Sequence, residues 1–260
     1  MKKAWRKSRV VLTTGSLADI MLKLRLLTWD VKDTLLRLRF PVGERYSAEA
    51  RACGLQVEVK MLNQSFQQAH KAHSACFPNY GKGRGLSSKQ WWLDVILETF
   101  RLSGVHDEGA VRPIAEKLYG EYSTAGNWEL LPGARETLQH CQWMGIPMAV
   151  VSNFDRRLQE TLTQCNLHQH FEFVLSSEEA GFTKPDQRIF LKALCIAGVS
   201  PELAAHVGDD YVNDYKAARE AGMHSFLLKT AGQPSAWDAQ VPKAHVLQSL
   251  THLLPLIEKG

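Results

Sequence analysis

A doubly wound α/β fold, a parallel sheet with helices on both faces and an all-helical cap inserted after the first strand, is predicted by three observations. First, from residue 131 onward short continuous apolar runs alternate with amphipathic stretches. Runs of that kind are buried on both faces, as strands sandwiched between helices must be. Second, a similar run, LRLLTWD at residues 24–30, stands about a hundred residues earlier, and the chain between shows helical periodicity. That makes the early run a strand of the same sheet and the intervening chain an insertion. Third, polar residues suited to a ligand site follow the apolar runs, at the strand ends where open α/β sheets collect ligands.

Each element can be read in order. LRLLTWD ends on Asp30 as a short buried strand. Helical patterns follow in ERYSAEARACG, closing on Gly54, and in VKMLNQSFQQAHKAH. A glycine-rich loop, FPNYGKGRGLS, carries Lys82 and Arg84. The next helix, in SSKQWWLDVILETFRLSG, has Ser87 or Ser88 as its N-cap and Gly104 as its stop; DEGAVRPIAEKLY, with Pro113, is the last of the insertion. Trp91 and Trp92 are adjacent, so a helix cannot turn both to one side: one belongs in the cap core, the other toward the site or a partner. After LLPGARETLQHCQWMG come IPMAVVSN, DRRLQETLTQCN, FEFVLSS, KPDQRIFLKALCIAG, AAHVGDD, NDYKAAREAG and HSFLL, strand alternating with helix. The expected division is a disordered basic extension at 1–23, a core at 24–35 and 131–260, and a helical cap at 36–130.

Composition narrows the function. At 260 residues and 45% hydrophobic, the chain can bury a large core. The net charge of +4 is misleading, because Lys2, Lys3, Arg6, Lys7, Arg9, Lys23 and Arg25 against Asp19 give the first 25 residues +6 and leave −2 for the rest. A nucleic-acid groove needs basic residues along the folded body, so nucleic acid is not an expected partner. No apolar segment is long enough to span a bilayer, and the apolar VVL near the start is far short of a secretory signal. The basic start suits a disordered cytosolic extension or a mitochondrial presequence; an intracellular, first of all cytoplasmic, location is the expectation. Five cysteines with no C-x-x-C pair suggest neither zinc nor a disulfide frame.

The residues at the strand ends are Asp30, then Ser152 and Asn153, then Asp209 and Asp210, with Lys184 just before the helix opened by Pro185. Carboxylates, a hydroxyl, an amide and a lysine converging on one edge make a site for a divalent cation and a phosphate. Hard oxygen ligands suit Mg²⁺, and the other groups neutralise phosphate oxygens. Taken singly, each residue is more economically a cap, a turn residue or a solvated charge; their joint occurrence reverses those odds. His206 and Tyr211 are read as packing.

The segments LLTWDVKDTLL, AVVSN, GFTKPD and HVGDDYVND, in that order, resemble the four motifs of the haloacid dehalogenase superfamily of hydrolases, in the group whose helical cap follows the first strand. The resemblance covers about residues 24–230. It implies that Asp30 is a nucleophile forming an aspartyl-phosphate, and that Ser152, Asn153 and Lys184 bind phosphate, with Lys184 also steadying the nucleophile. It implies further that Asp30, Asp209 and the backbone carbonyl of Lys32 hold Mg²⁺, with Asp214 orienting the metal's waters or Lys184 from behind. The implied partner is a small phosphorylated molecule.

One position departs. Hydrolytic members carry a carboxylate two residues after the nucleophile, which protonates the leaving oxygen and then deprotonates the attacking water; here that acid/base position is Lys32. An ammonium donates a proton readily but does not readily take one back near neutral pH. Three outcomes are open: Lys32 pairs with Asp30 and leaves a ligand-binding or regulatory protein; Asp33 substitutes as acid/base; or the first transfer proceeds and hydrolysis is slow. Halide displacement needs no general acid, but it also dispenses with metal, whereas GDD has the character of a metal-binding segment. An Mg²⁺-dependent phosphatase of weak turnover and a non-catalytic phosphate binder are therefore the two expectations.

Overall fold

The computed structural model describes residues 22–229 and 240–260. The chain opens with β1 (Leu22–Leu24), β2 (Leu26–Trp29) and β3 (Leu36–Leu38). Four helices follow: α1 (Val42–Ala52), α2 (Val59–Cys76), α3 (Ser88–Leu102) and α4 (Glu108–Glu121). After β4 (Trp128–Leu130) come α5 (Ala134–Trp143), β5 (Met148–Ser152), α6 (Leu158–Gln164), β6 (Phe173–Ser176), α7 (Ser177–Ala180) and α8 (Arg188–Ala197). The chain finishes with β7 (Ala204–Gly208), α9 (Ala217–Glu220), β8 (His224–Leu228), β9 (Val246–Leu247) and β10 (Ile257–Lys259).

The main sheet has the order β6-β5-β2-β7-β8-β9 with every pairing parallel. All four β2 residues are buried, and alternate positions serve opposite faces. Leu27 and Trp29 join Met148, Val150, Ala205 and Val207 against α5 and α6, whereas Leu26, Ala149, Val151 and Ala204 pack on α8 and α9 through Ile189, Phe190, Ala193 and Ala217. The near-continuous apolar sequence of these strands follows from that two-sided burial.

Helices α1 to α4 bury their own cluster, centred on Tyr46, Leu62, Leu93, Ile96, Phe100, Val111 and Leu118. Ser87 is the N-cap of α3, its hydroxyl accepting from the Gln90 amide at 3.2 Å. Gly43 lets α1 approach α2, because a Cβ there would lie 2.4 Å from the Val59 carbonyl.

Three features differ from the sequence reading. LRLLTWD is two strands: the chain turns at exposed Arg25, and β1 pairs with β10 in place of the main sheet. The expected basic extension lies outside the described residues except for its last two, Leu22 and Lys23, which begin β1. The insertion is also not purely helical at its base, since β3 and β4 form an antiparallel ribbon through which the chain passes into and out of the helices. Three-residue strands are too short to show a period. Among the described residues no helix is long and apolar enough to cross a membrane.

Candidate active site

Asp30 is the first residue after β2, and sheet register decides its neighbours. Because β2 lies between β5 and β7, the residues ending those strands, Ser152 and Asn153 on one side and Gly208 and Asp209 on the other, arrive at the same edge. Lys184 reaches in from the loop before α8. Its ammonium donates to Asp30 Oδ1 at 2.6 Å, to Asp214 Oδ1 at 2.6 Å and to the Val151 carbonyl at 3.0 Å. The Lys184 side chain is 2% exposed. Burial alone would lower its pKa, but the carboxylates of Asp214 and Asp30 outweigh that and raise it, so the cation stays protonated.

The carboxylates respond in opposite ways. Burial pushes Asp30 up, against the pull of Lys184. Asp214 also feels burial, but Lys184 and His206 overcome it and hold its carboxyl well below the usual range. Among the described residues no cation pairs with Asp209: burial, then repulsion from Asp30, Asp214 and Asp33, raises it to about 7, against the Thr34 hydroxyl, which donates to it at 3.1 Å. One oxygen from each of Asp30, Asp209 and Asp214 lies within 4.8 Å of the others. This closely spaced set of oxygen donors, one of them lacking a counter-charge, fits a hard divalent cation.

His206 is part of this network and not simply packing. It is fully buried, with Nδ1 2.9 Å from Thr28 Oγ1 and Nε2 3.2 Å from Asp214 Oδ1, and its ring stands edge-on to Phe190. Burial lowers its pKa, and because the Asp214 carboxylate can only accept, Nε2 carries a proton and donates to it; Nδ1 faces the Thr28 hydroxyl, which also donates to the Ala205 carbonyl at 3.1 Å. The sequence clue was available: a histidine inside an otherwise apolar buried strand needs a polar partner.

The backbone is shaped around Asp214. Asp210 accepts from the amides of Val212 and Asn213 at 2.8 and 2.7 Å, and its own amide donates to Asp214 Oδ2 at 3.0 Å. A Cβ on Gly208 would sit 2.2 Å from the Asp214 carboxyl carbon. Gly208→Ala is therefore expected to displace Asp214, lowering stability by about 1–3 kcal/mol and loosening Lys184. An unchanged urea midpoint would contradict this.

Asn153 is at the expected edge, but its side chain is engaged: Nδ2 donates to the Lys184 carbonyl at 2.9 Å and Oδ1 accepts from the Lys184 amide at 2.7 Å. It fixes the segment bearing the lysine. Ser152 is 1% exposed at the end of β5. Lys32 does not pair with Asp30. It forms an exposed ion pair with Asp33, and Asp30 is met by Lys184 instead. Asp33 itself adopts φ 62° in the tight turn that follows Lys32.

The cap lies directly on this edge. Trp92 Nε1 donates to Asp155 Oδ2 at 2.6 Å, the Tyr80 hydroxyl to the Asn153 carbonyl at 3.2 Å, and Asn79 Nδ2 to the Ser177 carbonyl at 2.8 Å. Trp91 is 2% exposed within the cap, so the adjacent tryptophans divide as their helical positions require. Lys32 and Asn153 also border a cavity of about 470 Å³ between cap and core.

The six-stranded parallel sheet carries a helical cap and an acid-lysine edge, and the haloacid dehalogenase-like hydrolase family matches residues 24–222. The chain belongs to that family. It is 55% identical over 239 residues to haloacid dehalogenase-like hydrolase domain-containing protein 3 of Homo sapiens, covering 91% of this chain and 95% of that one. It is 31% identical over 252 residues to the Rhythmically expressed gene 2 protein of Drosophila melanogaster, covering 92% and 96%. Among solved structures, a dehalogenase superposes with a TM-score of 0.69 at 23% identity, over 91% of this chain and 98% of that one. The hydrolase YfnB of Bacillus subtilis, described as bound to magnesium, does so with a TM-score of 0.67 at 19% identity, over 89% and 97%.

Proposed function

We propose that the protein is a Mg²⁺-dependent phosphohydrolase of low turnover, acting on small phosphate monoesters through Asp30. The observation that supports this most is the buried Asp30–Lys184–Asp214 arrangement with Asp209 beside it. Asp30 attacks phosphorus, the ester oxygen leaves, and water then releases phosphate from the acyl phosphate, so that one hard displacement becomes two. Lys184 holds the nucleophile in place and neutralises phosphoryl oxygens, while Ser152 and the backbone beside Asn153 receive the phosphate. Asp214, held by His206, orients Lys184. Asp30, Asp209 and the Lys32 carbonyl would hold the ion, which when bound neutralises the carboxylates and the phosphate charge.

Asp209→Asn tests the metal assignment. A carboxyl raised in the fold destabilises the protein above its folded pKa, and the cost is relieved as pH falls through about 7. In EDTA at pH 8 the variant should melt higher than wild type, with the difference shrinking toward pH 5.5. With Mg²⁺, only wild type should gain stability. A variant that binds Mg²⁺ like wild type would exclude Asp209.

The alternative, a non-catalytic phosphate binder, draws support from Lys32, which leaves no carboxylate two residues after Asp30. Radiolabelled substrate separates the readings. A phosphoenzyme lost in Asp30→Asn supports chemistry, whereas ligand binding without covalent label supports the binder.

A further inference from the structure

We infer that the cavity between cap and core, where the leaving group of a bound ester would lie, selects a flat, largely apolar, uncharged group such as an aryl or fused-ring ester, not a sugar or polyol. The inference rests on the phosphate-ester reading above. The cavity, of about 470 Å³, is of a size that holds a small organic molecule. Phe, Tyr and Trp make up half of its lining: Tyr46, Phe66, Trp92 and Tyr122 belong to the cap helices or the turn that ends them, while Trp128 and Phe154 come from β4 and the loop after β5.

Its charged groups are already committed to one another. Arg157 donates to Asp155 Oδ1 at 3.0 Å and to Oδ2 at 2.6 Å, and through Nη1 to the Tyr119 carbonyl at 2.7 Å, while its guanidinium lies 4.0 Å from the centre of the Tyr119 ring. The remaining Asp155 oxygen capacity serves Trp92. Lys32, at the border nearest Asp30, is paired with Asp33. A second anionic group on the substrate would find no unpaired cation in these walls. Each hydroxyl buried without a partner costs about tenfold or more in affinity. Aromatic walls instead reward a flat ring by stacking and edge contacts.

The test uses wild-type protein with Mg²⁺ and two non-hydrolysable ligands of equal charge, 1-naphthylmethylphosphonate and 2,3-dihydroxypropylphosphonate, titrated calorimetrically beside inorganic phosphate and 1-naphthol. The naphthyl ligand should bind at least tenfold more tightly. Phe66→Ser should erase the preference while leaving inorganic phosphate binding intact, which also reports that the variant is folded. If Phe66→Ser does not fold, Leu38→Thr, on the same cavity wall, serves instead. Equal affinity for the two phosphonates, or a preference for the dihydroxypropyl compound, overturns the inference. Binding of 1-naphthol that is lost in the variant, with no phosphonate or phosphate binding, upholds the apolar subsite and sinks the phosphate reading. Failure of every ligand to bind overturns both.

Discussion

Lys32→Asp should raise Mg²⁺-dependent hydrolysis of p-nitrophenyl phosphate above a weak wild-type rate, by up to the roughly 10²–10⁴-fold that general acid–base catalysis supplies. The p-nitrophenolate leaving group needs little protonation, so the gain should fall mainly on the second step, where water must lose a proton. Wild type should accordingly accumulate phosphoenzyme that the variant clears. Asp33 limits the benefit, because the new carboxylate would replace the partner that Asp33 now pairs with. Lys32→Asp/Asp33→Gly removes that repulsion, and glycine accepts the positive φ of residue 33 without cost. The double variant should therefore be the faster. Asp30→Asn must abolish both turnover and label. A wild type that is fast on a natural ester and slowed by Lys32→Asp would show that the lysine is a working catalytic group.

Lys184→Met should destabilise the protein by about 3–5 kcal/mol and eliminate phosphoenzyme formation, because it leaves Asp30 and Asp214 buried without their shared cation. The pH dependence gives a second signature. In wild type the lowered Asp214 contributes stability above the unfolded carboxylate pKa of about 3.9. The raised Lys184 contributes below the unfolded lysine pKa of about 10.4, so their interaction is fully present from pH 5 to 9. Without the lysine, both carboxyls prefer to be protonated in the fold, and the variant recovers as pH falls. Urea denaturation in EDTA should show a smaller gap between wild type and variant at pH 5.5 than at pH 8. A gap independent of pH would mean the loss comes from packing.

The strands and their order of appearance were legible because parallel strands are apolar on both faces, and the site was legible because its groups follow those strands. What escaped was set by partners distant in sequence. Nothing local says that Leu22–Leu24 pairs with Ile257–Lys259, or that Leu36–Leu38 meets Trp128–Leu130. Asn153 is polar in either role, and only the fold shows its amide turned to the backbone of Lys184. Lys32 stood out as the departure from the resembling motif, and only the fold shows that its ammonium pairs with Asp33 while Lys184 meets Asp30.

The placement of β2 between β5 and β7 has a consequence for biosynthesis. The strand that carries Asp30 leaves the ribosome early, yet its first neighbour in the sheet begins at Met148 and its second at Ala204. At about 5–20 residues per second, the 121 residues separating Leu27 from its β5 partner Met148 take about 6–24 s to make. During that interval an apolar segment waits with unpaired edges while the cap, whose contacts are local, can already assemble beside it. The charges that bracket the segment, Lys23 and Arg25 before it and Asp30, Lys32 and Asp33 after it, discourage one nascent chain from pairing with another. In this view Lys32 belongs to the charged flank that shields the strand ending at Asp30.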